Sequence, residues 1–231
     1  MTIRPLVIAS NMFNEIESLP RWFDCFEQIA DGGLLIVDSG SNDGSIEYAK
    51  DRGAIVIVDD IIRREGYGPA RNQLRVKSKE FYPEAHWMAY FDADETIDEK
   101  EFHQFRYIKD YLNERYDVVA FPRIDWYDLE KKKSANNYRI MPDWQARMTR
   151  LNNPIGYIRK LHEQVAGHRA IYARLTTPKI NHFHRSTAQE KRDLIGKLCA
   201  KLHMEDTEWG HTVGMHPKEQ YYRELYEKEG L

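Results

Sequence analysis

Carboxylates crowd the segment HWMAYFDADETIDEKEF: Asp92, Asp94, Glu95, Asp98 and Glu99 follow at once on the apolar residues 87–91. Asp92 and Asp94 stand two apart. If the strand written by the apolar run extends through them, both side chains point to one face. Two or three oxygens suit Mg²⁺ or Mn²⁺, which draw the rest of their shell from water and substrate phosphates. The plainer reading is a helix start. Negative charge favours a helix N-terminus, and Thr96 with Glu99 has the spacing of a capping box. The two readings fit in succession, with metal-facing acids first and a cap second.

Three further stretches carry chemistry. In VDSGSNDGS, Asp38 ends an apolar run, where a carboxylate can accept hydrogen bonds from a base or ribose. Ser41 or Asp43 in the turn can instead cap the helix that follows. In REGYGPARNQ, a glycine-rich turn beside Arg71 can approach a diphosphate, although position 71 breaks the dinucleotide fingerprint. The chain has no Walker-type loop. Glu163, after His162, lies among cations, where a carboxylate can act as a general base or simply pair with Arg159 or Lys160. In INHFHRS, His182 or His184 can ligate a metal, or both can line a strand end.

Such residues need a scaffold that brings distant loops together. PLVIAS, LLIVD, AIVIV, HWMAYF and VVAFPRI read as strands, and the helical patterns SLPRWFDCFEQIA and GPARNQLRVKSKEF fall between them. Strands alternating with helices predict an α/β fold with a mainly parallel sheet. Near-continuous apolar strands predict a sheet buried on both faces. In open sheets of this kind ligands bind outside the carboxyl ends of the strands. Those ends read ASNMFNE, VDSGSNDG, VDD and FDADE, each rich in acids or amides. A long helix is expected over TIDEKEFHQFRYIKDYLNERY, and two C-terminal helices in EKRDLIGKLCAKLHM, behind a second capping-box spacing at Thr187 and Glu190, and PKEQYYRELYEK.

The 231 residues are enough for one domain with a sizeable core, here 1–231, in three stretches. Residues 1–122 hold 14 basic and 23 acidic side chains (−9), 123–185 hold 13 and 5 (+8), and 186–231 hold 7 and 9 (−2). Segregation of this kind bears on partners rather than on fold, and points to an anionic one for the middle stretch. In that stretch Lys131, Lys132 and Lys133 lie near Trp144 and Arg147, a mixture that suits phosphates with a stacked base or sugar. No apolar run approaches the roughly 20 residues of a membrane span. The N-terminus has no signal-peptide pattern, and two distant cysteines match no zinc spacing. The expected location is the cytoplasm, a host's if the chain is viral.

NMFNEIESL, VDSGSNDGS, GYGPARNQ and YFDADETID, in this order and spacing, resemble the nucleotide-binding half of family-2 glycosyltransferases. The resemblance spans about residues 5–190, and the short bacterial lipopolysaccharide-core glucosyltransferases are most similar. It implies a GT-A (Rossmann-like) fold: a nucleotide-sugar half, 1–122, a basic acceptor half, 123–185, and C-terminal helices, 186–231. It implies Asn14 and Glu15 beside the nucleotide, Asp38 at its base, and Asp43, Arg71 and Asn72 close by. Asp92 then faces ribose and metal, Asp94 is the main metal ligand, and His182 or His184 approaches the same Mg²⁺ or Mn²⁺. Glu163 matches the family's catalytic base, although the usual Glu-Asp pair is here His-Glu. The implied reaction is inverting transfer from a nucleotide sugar, UDP-linked in such enzymes, to a hydroxyl. Lys131, Lys132, Lys133, Trp144, Arg147 and His162 are the candidate acceptor contacts. The basic stretch favours DNA with a hydroxymethylated base, as in phages, over lipopolysaccharide core or another envelope saccharide. A nucleotidyltransferase and a non-catalytic binding module are the remaining alternatives.

Overall fold

The computed structural model describes residues 4–134, 142–173, 175–183, 189–206 and 219–230. The first half alternates as expected: β1 (Leu6–Met12), α1 (Leu19–Phe26), β2 (Gly33–Asp38), α2 (Ser45–Asp51), β3 (Ile55–Val58), α3 (Ile61–Glu65), α4 (Tyr67–Phe81) and β4 (Trp87–Tyr90). Then come β5 (Glu95–Ile97), α5 (Phe102–Tyr111), β6 (Val118–Asp125), β7 (Asp143–Arg150), β8 (Gly156–Ile158), β9 (Gln164–Ala166), β10 (Ile171–Tyr172) and β11 (Ile180–His182). Two helices, α6 (Gln189–Glu205) and α7 (Glu219–Glu229), end the chain.

The main sheet runs β3-β2-β1-β4-β7-β6-β11-β5, with β10 also paired to β6. β3, β2, β1 and β4 are parallel, and β7 joins them antiparallel to β4. β1 shows why this sheet needs helices on both sides. All seven of its residues are buried. Leu6 and Ile8 enter a core with Trp22, Phe23 and Phe26 of α1. Val7 and Ala9 point the other way, into a core with Ala70 and Leu74 of α4. The alternation follows from the two-residue period of a strand, and both faces of the parallel sheet are covered, as its apolar strands require.

The acid-rich segment departs from the reading of its sequence. Thr96 does not cap a helix. It lies in β5, paired antiparallel with Asn181 of β11. The helix begins later, as a 3₁₀ turn at Glu99–Glu101 leading into α5, and neither start has a side-chain cap. Asp98 instead accepts from Asn181 Nδ2 at 3.1 Å and pairs with Lys131. A strand partner distant in sequence decided the local structure, and spacing alone could not show it. The second capping-box residue, Thr187, lies outside the described residues.

Candidate active site

The carboxyl ends of β1, β2 and β4 meet the β7–β9 region around a cavity of about 1070 Å³. Glu15, Arg71, Asp92, Asp94, Trp144, Arg147, His162, Glu163 and His182 all line it. Residues more than 90 positions apart in sequence thus share one space.

β4 ends at Tyr90, and the chain turns rather than continuing extended, with the Glu95 N–H donating to the Asp92 carbonyl at 2.9 Å. Asp92 and Asp94 are therefore not two teeth of one strand. Asp92 is held between two buried arginines, accepting from Arg71 Nη2 at 2.6 Å and Arg147 Nη2 at 3.1 Å. Burial works against its charge, yet Arg71 and then Arg147 hold its pKa well below the usual carboxylate range. Arg147 also donates to Glu95 at 2.5 Å. Burial pushes the Glu95 carboxyl up, with Arg147 opposing. Both guanidiniums lie over the Tyr90 ring, at 4.1 and 4.5 Å. Buried charges persist only when paired in this way.

Arg71 is 2% exposed and has three partners. Besides Asp92 it donates to Asn11 Oδ1 at 2.8 Å and, through Nε, to Glu163 Oε1 at 3.3 Å. Glu163 is 14% exposed and faces the cavity. Its carboxylate is thus oriented on one side and open on the other, which is what a general base needs.

Asp94 turns to His182, whose Nε2 is 3.5 Å from Asp94 Oδ2 and whose Nδ1 is 2.6 Å from Asp125 Oδ1. Burial disfavours the imidazolium, but Asp94 and Asp125 raise the His182 pKa to about 10. Among the described residues no cluster of three or more His, Cys, Asp or Glu side chains is built to hold a metal alone. Asp94 and His182 both line the cavity, and they fit a divalent cation that displaces the His182 proton and completes its shell from water and diphosphate. Asp125 stands behind His182 as carboxylates do behind metal-binding histidines.

The nucleotide-side residues divide. Glu15 lines the cavity and pairs with Lys191 of α6 at 2.5 Å. Burial pushes its pKa up to about 7, with Lys191 opposing. Asn14, Asp38 and Asp43 do not line the cavity; they fasten the loops around it. Asp38 accepts the N–H groups of Gly40 and Ser41 at 2.9 and 2.6 Å and the Ser41 hydroxyl at 2.7 Å. That hydroxyl in turn accepts the Asn14 N–H at 2.7 Å. Asp43 accepts from Ser45 N–H and, across the loops, from Ile16 N–H at 3.1 Å. Asn72 also faces away, bonding both backbone groups of Tyr157. The glycines of the GYG turn lie against the backbone of Arg159 and Lys160 rather than on the cavity. Their expected approach to a diphosphate is not the geometry found.

On the acceptor side, Trp144, Arg147 and His162 reach the cavity, whereas Lys131, Lys132 and Lys133 do not. Lys131 pairs with Asp98 and Lys133 lies over the Tyr127 ring. His184 lies outside the described residues. Sequence reasoning missed Asn11, Tyr90, Asp125 and Lys191. Asn11 stood in the amide-rich end of β1, where position gave a signal. Lys191 gave none, because only tertiary packing brings α6 over the site.

The profile described as Glycosyl transferase family 2 matches residues 9–182. The chain belongs to the family-2 glycosyltransferases, and the parallel sheet with its flanking helices is their GT-A fold. S. aureus TarS has a similar structure, with a TM-score of 0.52 and 12% identity over 97% of this chain and 42% of that one. Glucosyl-3-phosphoglycerate synthase from Mycobacterium tuberculosis, solved with Mg²⁺ and uridine diphosphate, matches at TM-score 0.41 and 18% identity over 53% of this chain and 44% of that one. The chain thus spans less than half the length of these structures. No curated protein is significantly similar to it. No helix among the described residues is long and apolar enough to cross a membrane.

Proposed function

We propose that the chain transfers a sugar, with inversion, from a UDP-linked donor to a hydroxyl of an anionic acceptor, with Glu163 as the base. The observation that carries this reading is the placement of Glu163. Its carboxylate opens on the same cavity as Asp92 and Asp94, fixed from behind by a guanidinium that also holds Asp92. The acceptor oxygen attacks the anomeric carbon, its proton passes to a Glu163 carboxylate oxygen, and the bond from that carbon to the diphosphate breaks. UDP leaves. Asp94 and His182 would hold Mg²⁺ or Mn²⁺, which supplies charge neutralisation at the diphosphate. The synthase named above was solved with Mn²⁺ and UDP-glucose.

The acceptor reading moves from DNA towards an envelope saccharide. The lysines that favoured nucleic acid lie off the cavity. Trp144, 36% exposed on the cavity wall, offers an aromatic face of the kind that stacks on a sugar ring. Glu163→Gln tests the central role. It should bind the UDP-sugar as tightly as wild type and lose transfer by a factor of about 10²–10⁴. Full transfer by this variant would remove Glu163 from the reaction.

A further inference from the structure

Glu163 belongs to a short segment with unusual backbone geometry. Arg159 and His162 have φ of +74° and +56°, in the left-handed region that side chains disfavour. Such conformations persist only where the surroundings enforce them. The surroundings here are residues 66–72. Tyr67 N–H donates to Lys160 O at 2.7 Å and Gly68 N–H to Arg159 O at 3.1 Å. The approach is close enough to exclude a side chain. A Cβ on Gly66 would lie 2.6 Å from Lys160 O, and one on Gly68 would lie 2.3 Å from Arg159 O. One helical turn on, Asn72 gives Nδ2–H to Tyr157 O at 2.8 Å and takes Tyr157 N–H on Oδ1 at 2.7 Å. From the opposite side Asp206, just after α6, accepts Lys160 N–H at 3.2 Å.

We propose that residues 66–72 are the positioning device of the catalytic carboxylate: Gly66, Gly68 and Asn72 fix the backbone of residues 157–160, and Arg71 fixes the Glu163 carboxylate itself. The glycines are there for contact with the protein's own backbone rather than with phosphate. Arg71 touches Asp92 and Glu163 with different nitrogens, so one side chain sets the base relative to the donor side of the cavity. The inference rests on Glu163 being the base.

Gly68→Ala is the direct test. Gly68 lies in the first turn of α4 without a positive φ, so alanine suits the helix and disturbs the contact with the backbone of Ile158 and Arg159. Displacement of a reacting group by about 1 Å can cost about 100-fold in rate. A fall in kcat of that order is expected, with the UDP-sugar Kd unchanged and the Tm lowered by the forced backbone shift. Asn72→Ala, which breaks both bonds to Tyr157 away from the cavity, should show the same split and decides the matter if Gly68→Ala fails to fold. Unchanged kcat in both variants, or a weakened donor Kd with kcat intact, would overturn the proposal. Glu163→Gln separates the two readings. If it keeps full transfer, the base assignment fails. If it is inactive while Gly68→Ala and Asn72→Ala turn over like wild type, the positioning role alone fails.

Discussion

At the scale of single residues, the site works by pairing each buried charge with a partner and leaving one face open. Asp92 is committed to two arginines, so under the proposed function its neighbour Asp94, beside His182, is the carboxylate assigned to a cation. Asp94→Ala should abolish turnover and leave the circular dichroism spectrum and Tm unchanged; a variant with full metal-dependent activity would refute the assignment. Glu15 gives a pH signature. Its folded pKa of about 7 lies above the ordinary value of 4.5, so the folded state holds the proton more firmly. Stability from this group therefore falls as pH rises between those values, by up to about 3 kcal/mol. Glu15→Gln cannot lose a proton. Its Tm relative to wild type should rise from pH 5 to pH 8, and a constant difference would contradict the sign. Asp94 stood out in the sequence by its place at a strand end and Glu163 by its place among cations, and both line the cavity. The chemistry was hidden where partners came from afar. Nothing local to Lys191 announces that it meets Glu15, and the i, i+2 argument for Asp92 and Asp94 failed because the chain turns after Tyr90.

At the scale of elements, long apolar runs declared themselves and short ones did not. β1, β2 and β4 were readable because burial on both faces makes most of their positions apolar, with polar residues only towards their carboxyl ends. β5, β8, β9, β10 and β11 have three residues or fewer and exist only through their partners. Thr96 shows the consequence: spacing suggested a cap, and pairing with Asn181 made a strand. The core behind the site is aromatic. Phe26 stacks on Phe91 with ring centroids 4.4 Å apart, joining α1 to the residue that follows β4. Phe26→Ala should cost about 3–5 kcal/mol in denaturant unfolding. A loss below about 1 kcal/mol would mean that the layer repacks freely.

At the scale of the whole molecule, charge was legible as a sum but not as a surface. The +8 of residues 123–185 is real, yet part of its positive charge is internal or paired. Arg147 and Arg150 are buried, and Arg123 pairs with Asp143. A net positive stretch therefore overstated the case for a polyanion. Replacing Lys132 and Lys133 together with alanine should leave kcat for transfer unchanged, and a large loss would restore that loop to the acceptor site. Hydroxymethylated DNA and lipopolysaccharide core, offered side by side with UDP-sugars and read by mass spectrometry, should show the added hexose on the saccharide. The most direct measurement of the reaction itself is the anomeric configuration of that product by NMR. With one displacement assisted by Glu163, an α-linked UDP-sugar yields a β-linked product; an α-linked product would contradict the mechanism.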